Sequence, residues 1–189
     1  KVSWDEARRM VEDSYQKFDP RLGALVRDFF TKGWIDAAPR AGKYSGAYSM
    51  PTMPGWHPYI FMNFMERASD VATLAHELGH GVHQILADSQ GYLVSSTPLT
   101  LAETASVFGE MLTFRALLAA EPDKARKKAM LADKVEDSLG TMIRQIAYDS
   151  FEQQLHTRRK QGELTPDEID ALWVETQSES FGPAVDFGG

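Results

Sequence analysis

Residues 74–83 read LAHELGHGVH. These ten residues carry three of the five histidines in the chain and one glutamate. The residues around them repeat apolar side chains at helical spacing. With Val71 set at zero and about 100° added per residue, Val71, Leu74, Ala75, Leu78, Val82, Ile85 and Leu86 fall within about 60° of zero. His76, His80 and His83 fall between about 120° and 180°, and Glu77 stands near 240°. One face is therefore predicted to meet a core. The opposite face carries imidazoles where a surface helix would carry lysine and glutamate. Such a helix is expected to form the wall of a cleft.

His76 and His80 lie four apart on one face, about 6 Å apart along the axis, and can meet a single ion. Glu77 is offset round the helix, placed to hold a water beside that ion. This is the H-E-x-x-H arrangement of two zinc-binding imidazoles and a carboxylate general base. His83 lies seven residues past His76, about 10.5 Å along the axis, whereas zinc–nitrogen bonds are about 2.1 Å long. His83 is therefore expected to support the site and not to bind the ion.

The stretch lacks a third ligand. A metzincin would continue with glycine where His83 stands and histidine where Leu86 stands, so that pattern is absent. The next helix, TLAETASVFGEML at 100–112, offers Glu103 and Glu110. Measured from Leu101, the side chains of Leu101, Ala105, Phe108, Leu112 and Ala116 form an apolar stripe within about 60° of zero, and both acids lie near 180–200°. The stripe is predicted to face a core and the acids a cleft. Gly79, Gly81 and Gly109 each cost a helix interior about 1 kcal/mol against alanine, which points to close approach of neighbouring backbone.

The whole chain has 189 residues, 43% hydrophobic and 25% charged, and fits one domain with a sizeable core. The fold class read from the pattern is mainly α with a small β-sheet. Helices are predicted at about 4–18, 21–33, 70–87, 100–120, 122–161 and 165–181, with Ser69 or Asp70 capping the third. Short strands are predicted at about 44–50 and 58–64. A net charge of −7 argues against a nucleic-acid partner, which needs a basic patch. No apolar run approaches the roughly 20 residues that span a bilayer, so no membrane partner is expected. The chain has no cysteine, which fits a reducing compartment, and a cytoplasmic location is expected. The sequence sets no oligomeric state.

TLAHELGHGVHQ followed by LAETASVFGEML resembles the thimet oligopeptidase and oligoendopeptidase F family of zinc metallopeptidases. The shared pattern is H-E-x-G-H-x-x-H, then a glutamate about two dozen residues on in an E-x-x-S context. His76, Glu77, Gly79, His80, His83, Glu103 and Ser106 supply its letters. GKYSGAYS (42–49) and HPYIFMNF (57–64) are similar to the segments ahead of the zinc helix in oligoendopeptidase F-like members. The resemblance implies a zincin-type catalytic core and one zinc ion per chain, held by His76, His80 and Glu103. It implies Glu77 as general base, Glu110 as an acid orienting a ligand, and short peptides as substrates. Gly46, Ala47 and Tyr48 match the family's strand that pairs with the substrate backbone.

The chain begins at Lys1 and is expected to be truncated at both ends. The family uses a histidine and tyrosines from a later segment to stabilise the tetrahedral intermediate, and neither Tyr148 nor His156 matches that segment. Two rival readings follow. One is a metal-binding fragment that turns over poorly. The other is a zinc aminopeptidase or carboxypeptidase-like hydrolase, although no sequence feature supplies a site for a substrate's free amine.

Overall fold

Chain order builds three helices' worth of apolar faces around a very small sheet. The computed structural model describes residues 1–186. It divides into two compact units, Lys1–Pro122 and Asp123–Gly189. The first holds α1 (Trp4–Phe18), α2 (Pro20–Thr31), β1 (Ile35–Asp36), β2 (Tyr48–Met50), β3 (Tyr59–Phe61), α3 (Ala68–Ala87) and α4 (Leu99–Ala120). The second holds α5 (Lys124–Arg159) and α6 (Pro166–Phe181). The chain is thus mostly helical with one small sheet, as the pattern predicts.

Local chemistry sets the helix starts. The Ser3 side chain accepts from the Glu6 amide, and the Asp19 carboxylate accepts from the Arg21 amide beside Pro20. Thr165 and Glu168 form a reciprocal capping box ahead of α6. Helix α3 starts two residues earlier than predicted, with Arg67 at the cap. Asp70 is not the cap. It sits in the first turn, and one carboxylate oxygen accepts from the Met65 and Arg67 amides at 2.7 and 2.8 Å.

The sheet has the order β1-β3-β2, with β1 parallel and β2 antiparallel to β3. Strand β2 is therefore an edge. Both predicted strands are shorter than expected, and β1 was not predicted at all. Gly46 has φ of 94°, outside the strand region, so pairing begins only at Tyr48. The 58–64 segment keeps regular pairing over Tyr59–Phe61. Two-residue β1 is too short to show alternation.

The core of the first unit joins Ala7, Val11 and Tyr15 of α1, Val26 and Phe29 of α2, Ile60, and Val71, Leu74, Ala75, Leu78 and Val82 of α3. The predicted core face of α3 holds through Val82. Ile85 is only partly buried and Leu86 is 54% exposed, because the core ends one turn before the helix does.

Helix α4 departs from its predicted orientation. Leu101 and Phe108 are 59% and 42% exposed, while Ala102, Ser106, Gly109 and Thr113 are buried. The reason is the closeness of the α3–α4 crossing. A Cβ on Gly79 would lie 2.5 Å from the Ala105 carbonyl oxygen and 2.7 Å from Ser106 Cα. Large side chains cannot enter such a contact, so α4 turns its small residues inward. On α1, Tyr15 is fully buried and donates to the Ala75 carbonyl at 2.9 Å. A Cβ on Gly109 would occupy the place of that hydroxyl.

Within the second unit, Ala147 of α5 and Leu172 of α6 are fully buried. Trp173 stacks on Tyr148 and meets Phe151 edge-on.

Two glycine substitutions should have opposite signs. Gly109→Ala gains helix propensity but displaces the Tyr15 hydroxyl, and should lower stability by about 1–3 kcal/mol in denaturant titration. Gly140→Ala meets only the end of the Arg144 side chain at 3.4 Å and should raise the stability of its own unit by up to about 1 kcal/mol. A stabilised Gly109→Ala protein would contradict the packing described here.

Candidate active site

Helix α3 presents His76 and His80 one turn apart, with ring centroids 5.0 Å apart and ring planes nearly perpendicular. The close crossing at Gly79 brings Glu103 of α4 against them. His76 Nε2 lies 3.2 Å from Glu103 Oε2, and His80 Nε2 lies 3.5 Å from Glu103 Oε1. One donor atom from each of His76, His80 and Glu103 lies within 4.8 Å of the other two, a candidate metal site.

Neighbouring groups hold these three side chains. Ser106, one turn past Glu103 and fully buried, donates its hydroxyl hydrogen to Glu103 Oε2 at 2.7 Å. Glu110 Oε2 lies 3.5 Å from His76 Nδ1, the ring nitrogen turned away from Glu103. A carboxylate at Nδ1 favours a proton there and leaves the Nε2 lone pair free toward the shared point. Glu110 thus stands beside His76 and outside the three-donor set. His83 is outside it too, and its Nδ1 is buried with no hydrogen-bond partner.

Glu77 is buried on the side of α3 that faces β2, and its Oε2 has no hydrogen-bond partner. Burial pushes its carboxyl up to about 7, against the pull of His76, with the Glu103 charge adding to the rise. The Ser49 backbone amide, on β2, works to keep it down. Burial likewise disfavours a charged His76, but Glu110, Glu77 and Glu103 together outweigh it, so its pKa rises. His80 has fewer acids about it, and burial carries its pKa down.

The predicted substrate segment lies alongside. Tyr48 opens the edge strand β2 and stacks on Phe61, whereas Gly46 and Ala47 precede the strand. Two contacts had no counterpart in the sequence reading. Ser106 enters the motif without a role for its hydroxyl, and its position three past Glu103 places it on the same helix face. Gln84 is buried, and its side chain makes two hydrogen bonds to Ser49 of β2. It lies seven residues past Glu77, two turns along the same face.

Comparison with known proteins identifies the setting. The chain is 29% identical over 187 residues to Oligopeptidase PepF of Bacillus subtilis, covering 98% of this chain and 28% of that protein. It is also 29% identical to the plasmid-borne Oligoendopeptidase F of Lactococcus lactis subsp. cremoris, covering 98% of this chain and 31% of that one. A solved structure from Chlamydophila abortus superposes with a TM-score of 0.72 at 28% identity, over 96% of this chain and 31% of that chain. PZ peptidase A with inhibitor 2 shares the fold at a TM-score of 0.80 and 22% identity, over 100% of this chain and 33% of that one. The chain spans about three tenths of the length of the curated relatives it matches. Residues 14–188 match Peptidase family M3, and the chain belongs to that family.

Proposed function

We propose that this chain carries the metal-binding and proton-transfer part of a zinc-dependent metalloendopeptidase that cuts short peptides, with one zinc ion per chain. The observation that carries the reading is the spacing of the three donors. Four ligands at about 2.0–2.1 Å around a tetrahedral zinc stand about 3.4 Å from one another. Glu103 brings Oε2 to 3.2 Å from His76 Nε2 and Oε1 to 3.5 Å from His80 Nε2, and one donor atom from each of the three residues lies within 4.8 Å of the other two, close enough to converge on one ion. Two histidines and one glutamate also make up a donor set that leaves a fourth position for the reaction. The family match and the oligopeptidases among the relatives support the same reading.

In this proposal His76, His80 and Glu103 hold the ion. Ser106 fixes the Glu103 carboxylate, and Glu110 fixes the His76 ring through Nδ1. The bound ion supplies Lewis acidity, acidifying water and polarising the scissile carbonyl. Glu77 accepts the proton of the attacking water on its carboxylate and returns it to the leaving amine nitrogen. Burial favours the protonated form of that carboxyl, which helps it hold the proton between the two halves of the transfer. Gly46, Ala47 and Tyr48 lay the peptide along the sheet edge beside this base. The cytoplasm is the proposed location, and short peptides are the proposed partners.

Two experiments test the assignment. Glu77→Gln should retain one zinc per chain by elemental analysis and lose at least about 10³-fold in cleavage of an internally quenched peptide, since it removes the proton acceptor altogether. Cleavage by Glu77→Gln at the parent rate would sink the mechanism. Glu110→Gln should weaken zinc binding by about 10–100-fold in competition with a chelating dye, by loosening His76. Unchanged affinity would remove Glu110 from the site.

A further inference from the structure

Among the described residues, two hydrogen bonds join β2 to α3, and both involve Ser49. Ile60 of β3 donates its amide to the Trp34 carbonyl, on the β1 side. Its polar groups therefore turn away from β2, and Ser49 opposite forms a rung without ladder hydrogen bonds. The amide and carbonyl of Ser49 point off the free edge of the sheet, toward α3. The amide faces the Glu77 carboxylate and favours its charge. The carbonyl accepts from Gln84 Nε2 at 3.3 Å, and the Ser49 hydroxyl donates to Gln84 Oε1 at 2.8 Å. Gln84 is buried, so both ends of its amide are committed to Ser49.

Alternation along the strand then decides which rungs remain. Pairing covers only Tyr48–Met50, and continued alternation would set Ala47 and Pro51, one residue beyond each end, on the same edge as Ser49. Ser49 is occupied by α3. Pro51 has no amide hydrogen to donate. Ala47 is left as the rung that offers both an amide and a carbonyl to a second strand.

We infer that Gln84 is a positioning residue, which clamps Ser49 to α3 and so fixes the register in which a peptide pairs with Ala47. The inference rests on the reading of β2 as the substrate strand. A peptide laid on this edge cannot slide past Ser49. The height of Ala47 relative to His76 and His80 is set by a hydrogen-bonded amide on the same helix that carries them. Loss of the clamp leaves the zinc donors in place and frees the strand.

The test uses this chain with zinc bound, in the Glu77→Gln background, where a peptide is bound and not cut. Binding of a fluorescein-labelled octapeptide is read by anisotropy and zinc affinity by dye competition. Gln84→Met, of similar length, should raise the peptide Kd about tenfold with zinc affinity unchanged. Ser49→Ala should weaken peptide binding in the same direction. Adding it to Gln84→Met should have little further effect, because the two residues share one clamp. Ala47→Pro tests the strand reading itself and should abolish binding. Peptide affinity retained in Gln84→Met but lost in Ala47→Pro overturns the clamp and leaves the substrate strand standing. Affinity retained in Ala47→Pro, or no peptide binding by the parent, overturns the strand reading and the clamp with it. Should Gln84→Met lose zinc as well as peptide, Ser49→Ala decides: peptide affinity equal to the parent overturns the clamp.

Discussion

The contact on which the site depends is the crossing of α3 and α4 at Gly79. Backbone meets backbone there, with the place of a missing Cβ only 2.5 Å from the Ala105 carbonyl oxygen. Glutamate has a short reach, and a crossing built on larger side chains would set the helices further apart. The Glu103 carboxylate would then stand away from both imidazoles. The same closeness decides which residues α4 buries, and Ser106 is among them because it is small. Once buried, its hydroxyl has few partners, and it takes the Glu103 carboxylate. The glycine that brings the helices together thus also creates the residue that orients the third donor.

Charge in this small volume is balanced by unequal burial. Three carboxylates, Glu77, Glu103 and Glu110, share it with His76 and His80. Glu103 is largely exposed at the side chain. Glu77 is buried and pays for that with a carboxyl raised to about 7. His76 lies between Glu103 and Glu110, which hold its proton, while His80 shares only Glu103 and gives its proton up more easily. A cation between the three donors would relieve the crowding of negative charge and draw protons off both rings. That preference follows from the residues themselves and is independent of any likeness to other proteins.

Much of this was legible in the sequence where one helix speaks for itself. The periodicity of α3 placed Val71 through Val82 in the core and His76 and His80 on the far face, because a helix's own geometry fixes those directions. Legibility failed where a second element decides. Leu101 and Phe108 looked like a core stripe, but burial on α4 is chosen by the glycine-lined surface of α3, and small residues win. The strands were overextended because φ at Gly46 depends on a turn that composition does not encode. Two-residue β1 owes its existence to the β3 backbone and has no pattern of its own. Asp70 looked like a cap and is instead a first-turn acid gathering two amides, an arrangement that needs the incoming chain to fold back.

The histidine-bearing turns of α3 have no idle face, and this explains their glycines. Around the wheel from Val71, the core lies at zero and Gly79 near 80°, against α4. The histidines follow at about 120–180°, Glu77 and Gln84 at about 220–240° against β2, and Gly81 near 280°. Gly81 faces the Phe29 ring, 2.5 Å from where its Cβ would lie. Neighbours thus crowd the helix on three sides, and the fourth carries the imidazoles. Each glycine sits where a neighbour comes closest, and the helix propensity lost there is offset by tertiary packing. One consequence concerns rigidity. His76, Glu77, His80 and Gln84 all hang from a rod whose rotation is blocked by α2, α4 and β2 together. Their relative placement is then set by helix geometry alone, and any displacement of α3 moves Glu77, the imidazoles and Gln84 as one body.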